Sequence, residues 1–388
     1  MIYTKAWKSY QEQLDLLVSR GLLVTDPNLA LQHLERIGYY RLSGYWYAFR
    51  ERSAVACPLD NNLRKPSKVT ETRITLDSFI PGASFHDAVA LYIFDKKLRM
   101  LVMDAMERIE IALRVDISHT LGKLDPFAYL KPELLHEDFS IKLDSTRGVT
   151  EHHTWLGKHA QLISRSKEHF IDHNKERYGL PIAIWVACEV WDFGTLSKLF
   201  GGMRERDQDA IAQKYGIGNG RVFASWLRSL NHLRNICAHH GRLWNRNISD
   251  QPRLPNTRGS AGPKAHLSTS TGGEGHTKQH LGNPPWVKHF ESDTHARARC
   301  YVLLIIVKHL LATICPNSSW PDRMKAHLDA FPPLDHVGLN LRGMGAPDDW
   351  QAIWDGPKRT PQREQYNLVH ERGRVESKVS LLCPPSQC

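Results

Sequence analysis

Helical periodicity runs through most of this sequence, whereas runs that alternate apolar and polar residues are hard to find. The longest periodic segment covers about residues 85–121, where Leu98, Leu101, Val102, Ala105, Ile109, Ala112 and Leu113 share one stripe. A stripe of this kind is the core-facing side of a helix. Hydrophobic residues make up 41% of the 388 residues, which is enough for a large core. The sequence therefore predicts an all-α fold.

Further helices are expected where the same periodicity recurs, at residues 7–24, 181–200, 206–215, 221–241, 294–315 and 319–330. Asp26 is the expected N-cap of a helix that begins at Pro27 and leads into an aromatic block at 37–50. Residues 51–75 are polar and interrupted by proline, which is typical of a loop or a small hairpin.

Composition divides the chain into five segments. They are an N-terminal helical and aromatic segment (1–75), a helical core (76–248), a flexible insertion rich in Gly, Pro, Ser and His (249–287), C-terminal helices that pack on the core (288–355) and a tail expected to be disordered (356–388).

The most apolar segment, residues 301–315, is too short for a membrane span and contains Lys308 and His309, so it is predicted to be a core helix. The chain begins without the apolar run of a signal peptide. Its seven cysteines include no CxxC pair, and three of them are expected to be buried, reduced thiols: Cys188, Cys237 and Cys315. We therefore expect a cytoplasmic protein that does not bind a membrane. The net charge of +10 is a mild indication of polyanionic partners.

Residues 225–246 carry the most informative pattern. On a helix, one face would hold the apolar residues Trp226, Leu230, Leu233 and Cys237. The opposite face would hold Asn231, Asn235 and His239, with Arg228 and His232 beside them and Arg234 at the border. Gly241 is the expected C-cap, which would place His239 and His240 in the last turn.

The same region is free of carboxylates, since no Asp or Glu occurs between Ala210 and Ser249. Six basic residues lie there, namely Lys214, Arg221, Arg228, Arg234, Arg242 and Arg246. Such a surface attracts the phosphates of a nucleic acid, and Arg228, Arg242 and Arg246 are candidate RNA contacts. A solvated basic helix, with its histidines favoured by the helix dipole, is an equally good interpretation.

The segment from Arg234 to His239 fits the Arg-polar-x-x-x-His motif of HEPN-domain ribonucleases. The wider chain resembles the Abi (AbiD/AbiF-like) abortive-infection proteins of bacteria. Four blocks carry this resemblance in the expected order: 37–50, 94–114, 180–200 and 231–246. It extends over residues 5–246 and resumes more loosely around 300–354.

The resemblance implies a HEPN-like helical bundle with additional N-terminal helices and a long loop insertion. It also implies a metal-independent endoribonuclease, a toxin-like effector of phage defence that uses no cofactor and acts on RNA as a homodimer. A neutralising RNA or protein is a further partner that it suggests. In this reading His239 transfers protons, Arg234 stabilises charge on phosphorus and Asn235 orients His239 or binds a phosphate oxygen. His240 is the alternative proton carrier.

Several residues have both a supporting and a purely structural interpretation. Glu110 and Arg114 form either a solvent-exposed ion pair or a second layer that holds Arg234 or His239, and Asn231 extends the polar face of the motif helix. Glu189 lies among apolar residues and would pair with an arginine of the motif helix or cap a helix. Most rings of the aromatic block are expected in the core, whereas Tyr39 and Tyr40 are equally suited to stack on bases.

Two other functions stay open at this stage, a non-catalytic RNA-binding HEPN module and a HEPN-like scaffold that binds protein. A zinc site at Cys237, His239 and His240 is not expected, because ligands at these positions of one helix do not converge. No metal ligand is therefore predicted.

Overall fold

The computed structural model describes residues 4–54, 74–255 and 283–356. These ranges contain fifteen α-helices and one two-stranded sheet, which confirms the all-α prediction. The helices are α1 (Tyr10–Ser19), α2 (Pro27–Arg36), α3 (Tyr39–Trp46), α4 (Phe85–Gly122), α5 (Glu137–Ser140), α6 (Glu151–Arg165), α7 (His169–Tyr178), α8 (Ile184–Ala187), α9 (Phe193–Gly202), α10 (Glu205–Lys214), α11 (Gly220–Ala238), α12 (Thr294–Arg297), α13 (Cys300–Ile314), α14 (Trp320–Asp329) and α15 (Trp350–Asp355). Strands β1 (Arg50–Arg52) and β2 (Thr75–Phe79) pair antiparallel as a small hairpin.

Local capping explains where the first helices begin. The Asp26 carboxylate accepts a hydrogen bond from the Leu29 N–H at 2.9 Å, so Asp26 caps α2 as predicted. Ser84 and Asp87 form a capping box at the start of α4, and Ser9 and Glu12 form another at the start of α1. These bonds satisfy backbone donors that the first turn of a helix leaves unpaired.

Helix α4 is the central element of the fold. Its 38 residues correspond to about 57 Å at the usual rise of an α-helix. It packs against α3, α11, α13 and α14, and its predicted stripe faces this core. Helix α13 crosses the interior with residues 300–307 all buried, as expected for a core helix. Across the described ranges, no helix is both long enough and apolar enough to span a membrane.

One continuous hydrophobic core extends from Leu14 in α1 to Trp354 in α15. Both ends of the predicted insertion contact Trp226 of this core: the Arg253 carbonyl accepts a hydrogen bond from the Trp226 indole at 2.8 Å, and the Trp286 ring centre lies 5.7 Å from that of Trp226. Residues 256–282 of the insertion and 357–388 of the tail lie outside the described residues.

The structure corrects several predicted elements. The single helix expected at 181–200 is interrupted, because the Asp192 carboxylate caps a new helix, α9, by accepting the Thr195 N–H at 2.8 Å. The helix expected at 294–315 is likewise divided into α12 and α13. Helices α6 and α7 occupy a region for which the periodicity yields no prediction. Cys188 and Cys237 are buried as expected, whereas Cys315 lies past the end of α13 and is partly exposed.

Candidate functional site

Helix α11, which carries the Arg-Asn-x-x-x-His motif, is held firmly at its start. The Asn219 side chain caps it, and the Gly220 N–H donates to the Asp209 carboxylate at 2.7 Å. A Cβ at Gly220 would collide with Gln208, so only glycine lets α10 approach α11 this closely. The predicted apolar face is confirmed, because Trp226, Leu230, Leu233 and Cys237 are all buried. Burial also raises the pKa of the Cys237 thiol to about 12.

The end of α11 differs from the prediction. The helix ends at Ala238, His239 is its C-cap, and His240 rather than Gly241 adopts the left-handed conformation, with φ 56°. The His240 N–H bonds to the Cys237 carbonyl at 3.1 Å and the Gly241 N–H to the Ile236 carbonyl at 2.8 Å. This pair of bonds is a Schellman motif, in which glycine is the usual left-handed residue. A histidine there means that the turn is held by its surroundings.

A buried carboxylate, Asp95 of α4, fixes the chain that follows α11. It accepts hydrogen bonds from the Tyr45 hydroxyl at 2.7 Å, the Leu243 N–H at 3.1 Å and the Trp244 N–H at 2.8 Å. It also forms an ion pair with Arg99, one turn further along α4. Burial raises the pKa of the Asp95 carboxyl, and the Arg99 charge and the hydrogen-bond donors oppose that rise. Asp95 thus joins α3, α4 and the turn after α11.

Arginines hold the carbonyl groups of the same turn. Arg41 of α3 donates to the His240 carbonyl at 2.9 Å, and Arg99 donates to the Gly241 carbonyl at 3.3 Å. Arg242 turns the other way and donates to the Gly44 carbonyl of α3. The structure therefore places Arg242, a candidate RNA contact, in the contact between α3 and the turn.

The polar face of α11 has a contrasting character. Asn235, His239 and His240 are exposed, and Asn231 and Arg234 are partly buried. Within the part of the chain that the structure describes, the side chains of Arg234, Asn235 and His239 have no hydrogen-bond or ion-pair partner. These groups are accessible to a ligand.

Two carboxylates and an arginine form a charged cluster near the start of α9. Glu110 pairs with Arg114 at 3.1 Å, and Arg114 lies 3.6 Å from Glu189. Burial raises the pKa of Glu110, while the charges of Arg114 and then Arg234 oppose the rise. Arg234 is therefore close enough to Glu110 to stabilise its charged form. Glu189 is half exposed and pairs with Arg114 rather than with an arginine of the motif helix. Arg114 also donates to the Trp191 carbonyl at 3.1 Å, next to the break before α9.

A cleft of about 370 Å³ opens beside Arg234, between α6, the start of α9 and α11. Asn231, Arg234 and Asn235 line one side of it. Lys158 of α6 and Asp192 and Lys198 of the α9 region line the other, and the sequence interpretation missed all three. The break in the predicted helix brings Asp192 and Lys198 to the cleft, so they could be found only once the break was known. No sequence signal pointed to Lys158.

The other basic residues of the motif region are dispersed. Arg228 lies six residues before Arg234, about 240° around the helix axis, and lines a separate cleft with Arg221 and Glu205. Arg246 lies beside the turn, with one guanidinium nitrogen 3.4 Å from the position of a Cβ at Gly241. Arg221 pairs with Glu205, and Lys214 pairs with Asp116 at 2.6 Å. Neighbouring segments thus neutralise part of the carboxylate-free surface.

The aromatic block is mostly core, as predicted. Tyr45, Trp46 and Phe49 are buried, and Tyr39 packs edge-on against Trp46 with their ring centres 5.1 Å apart. Tyr40 is 85% exposed and precedes Arg41, which bonds to the turn after α11. Of the two tyrosines that the sequence left open, Tyr40 is the one whose ring is accessible.

Comparison with known proteins identifies one family. A model of the family described as Abi-like protein matches residues 32–245, which is more than half of the chain and includes α4, the cleft and the motif helix. No curated protein and no solved structure matches the chain. The extent of the family match shows that this chain belongs to the Abi-like protein family.

Proposed function

We propose that this protein is a metal-independent endoribonuclease of the HEPN type. Membership of the Abi-like family associates the chain with abortive infection, the bacterial defence in which an infected cell stops phage propagation. An effector of this kind would cleave RNA once infection is sensed. RNA as the substrate accords with a basic motif helix and an excess of positive charge over the whole chain.

The observation that carries the proposal is a guanidinium that forms no hydrogen bond or ion pair within the described ranges, on a helix that ends in an exposed imidazole. Arg234 keeps its charge at any physiological pH, and in the described part of the chain no hydrogen bond or ion pair engages it. A structural arginine normally bonds to a carbonyl or carboxylate, as Arg41 and Arg242 do here. Arg234 is close to Glu110 and is open toward the cleft, as a phosphate-binding residue would be.

The reaction follows from these two groups. His239 accepts the proton of a ribose 2′-hydroxyl as its oxygen attacks phosphorus, while Arg234 donates hydrogen bonds to the non-bridging oxygens, where negative charge develops. The bond to the 5′-oxygen breaks, and the imidazolium returns a proton to that leaving group. The products are a 2′,3′-cyclic phosphate and a 5′-hydroxyl. Asn235, one turn before His239, is placed to orient the imidazole or to bind a phosphate oxygen.

Incubation of purified protein with end-labelled RNA in EDTA tests this proposal. We expect cleavage that leaves a 2′,3′-cyclic phosphate and that falls at least about 100-fold in His239→Ala and Arg234→Ala. Arg234→Lys should not restore it, because an ammonium group lacks the planar fork that contacts two phosphate oxygens. His173→Ala in α7 and Arg221→Ala at the start of α11 are matched controls and should cleave normally.

Loss of cleavage on chelation with recovery on adding metal would overturn the metal-independent reaction. Binding of RNA without cleavage by the wild type would instead indicate a non-catalytic RNA-binding module.

We further propose that the active form is a homodimer with a composite site. Arg234 and His239 are five residues apart and thus about 140° apart around the axis of α11, so one helix presents them poorly to the same phosphate. Two copies of α11 that meet across a two-fold axis would place Arg234 of one chain beside His239 of the other. Mixing inactive Arg234→Ala and His239→Ala chains should then restore part of the activity. No recovery despite proven subunit exchange would rule out a site shared between chains.

A further inference from the structure

The cleft beside Arg234 has a defined position relative to the motif. Asn231, Arg234 and Asn235 border it, whereas His239, at the end of α11, does not. A phosphate bound by Arg234 would therefore lie beside the cleft, whose lining does not include His239 of the same chain. A nucleotide attached to that phosphate has the cleft directly available to it.

The walls of the cleft are well packed and partly aromatic. Trp155 of α6 and Phe193 of α9 line it, and these residues are only 2% and 1% exposed. The Trp155 indole N–H donates to the Thr195 carbonyl at 2.9 Å, which fixes the ring against the start of α9. At about 370 Å³, the cleft is near the lower end of the range of small-molecule sites, roughly 300–1,000 Å³. It is large enough for one nucleotide and too small for a folded partner.

The charge of the cleft favours an anion. Lys158, Lys198 and Arg234 contribute three positive charges, against one carboxylate, Asp192. Lys158 is 3.5 Å from Asp192, while Lys198, like Arg234, has no ion pair with any residue in the described ranges. Lys198 is thus left to balance a phosphate group, together with the part of the Arg234 charge that Glu110 does not offset.

The floor of the cleft carries groups that can read a base. Both polar atoms of the Asn231 amide lie 3.4 Å from the position that a Cβ would take at Gly194. The nearby Asp192 Oδ1 already accepts hydrogen bonds from the N–H and the hydroxyl of Thr195, both at 2.8 Å, so the amide is the group that the absent side chain at Gly194 leaves open. An amide both donates and accepts, which suits the edge of adenine, where the N6 amino group donates and N7 accepts.

We propose that this cleft is a nucleotide-binding pocket in which Asn231, left open by Gly194, selects adenine over uracil. Its role in cleavage rests on the proposed ribonuclease function: the bound nucleotide is attached to the scissile phosphate that Arg234 contacts. Binding of a free nucleotide does not depend on cleavage.

Gly194→Ala probes the floor without disturbing the fold. The new methyl group would be in ordinary van der Waals contact with Asn231, Gly194 has no positive φ, and alanine is a better helix former than glycine. Gly201→Ala is the matched control, because it lies on the same helix and its Cβ would point into open space. Thermal unfolding of both variants checks that the fold is kept.

Calorimetric titration with adenosine and uridine 5′-monophosphates measures binding directly. We expect the wild type to bind the adenosine nucleotide at least threefold more tightly than the uridine nucleotide. Gly194→Ala should weaken binding of the adenosine nucleotide at least tenfold, and Gly201→Ala should leave it unchanged. Equal binding by all three proteins, or no binding by the wild type, would overturn the pocket.

Mapping of cleavage sites on RNA of mixed sequence separates this inference from the proposed function. The wild type should show a base preference at one position next to the cleaved bond, and Gly194→Ala should lose it. An unchanged preference in an active Gly194→Ala protein would refute the pocket and leave the nuclease proposal intact. Nucleotide binding that depends on Gly194 in a wild type that never cleaves RNA would refute the nuclease proposal and support the pocket.

Discussion

The turn after α11 and the polar face of α11 are adjacent in sequence, but only the turn is held by hydrogen bonds from neighbouring elements. In the turn, residues 240–244, Asp95 accepts hydrogen bonds from two backbone N–H groups, and Arg41 and Arg99 donate to two backbone carbonyls. On the polar face, the side chains of Arg234, Asn235 and His239 bond to nothing within the described ranges. Bonding in this region is concentrated on the backbone that carries the motif, and the motif side chains stay available. A site for a charged ligand needs both properties, because each group must be positioned but not already occupied.

Asp95→Asn should disrupt the turn after α11, and we expect it to lower the free energy of unfolding more than any other change considered below. It would leave the Arg99 guanidinium buried without its counter-charge, and loss of one partner of a buried ion pair costs about 3–5 kcal/mol. Arg234→Ala, which removes an equally charged group from the unbonded side, should change stability by less than about 0.5 kcal/mol. Urea unfolding of the two variants measures the difference. Similar stabilities would show that the two regions are not distinct in this way.

Unfolding measured over a range of pH extends the comparison to a third environment, the buried side chain of His159. His159 accepts a hydrogen bond from the Trp191 indole at 3.0 Å, and burial lowers the pKa of His159 to about 4. The unfolded chain, with a histidine pKa near 6.5, therefore binds a proton that the folded chain excludes. This histidine's contribution to stability is complete above about pH 6.5 and is lost as the pH falls toward 4, by up to about 1.4 kcal/mol per pH unit.

His159→Phe should accordingly flatten the dependence of the unfolding free energy on pH between about 6 and 4.5. Tyr129→Phe, in the same aromatic cluster, controls for altered packing and should keep the slope of the wild type. An identical slope in His159→Phe would mean that His159 is protonated in the folded protein.

His240→Gly should have the smallest effect and would separate the two histidines of the motif. Glycine is the usual residue at the left-handed position of a Schellman motif, so we expect a gain in stability of about 0.5–1 kcal/mol. His240→Ala keeps a side chain in the left-handed conformation and should not be stabilised. RNA cleavage that survives His240→Gly would assign the proton transfer to His239, whereas its loss would assign it to His240.

The sequence predicted the helices and the motif face because both depend on local periodicity. The stripe of α4, the cap at Asp26 and the burial of Trp226 and Leu230 each follow from residues close together in the chain. The periodicity does not predict the break at Asp192, because an apolar helical pattern continues across it. Only the hydrogen bond from the Thr195 N–H to Asp192 and that from Arg114 to the Trp191 carbonyl reveal the new start.

The supporting network could not be derived from the sequence, because it joins residues almost 150 positions apart. A signal was nevertheless present. Asp95 and Arg99 are charged residues on the side of α4 that holds Leu91, Leu98 and Val102, where a charge is costly unless it is paired. No such signal indicated that Arg242 turns toward α3. Its basic neighbours in sequence instead suggested an exposed surface that binds RNA.

Helix α4 contacts both ends of this arrangement, and its regularity has a consequence for how the chain tolerates change. Asp95 holds the turn after α11, and Glu110, fifteen residues later on the same helix, interacts with Arg234; fifteen residues correspond to about 22 Å at the usual rise of an α-helix. One residue inserted between them would rotate Glu110 by about 100° relative to Asp95 and remove it from Arg234. The number of residues between these two carboxylates is therefore as important to the site as the side chains themselves, because α4 sets both their distance and their relative direction.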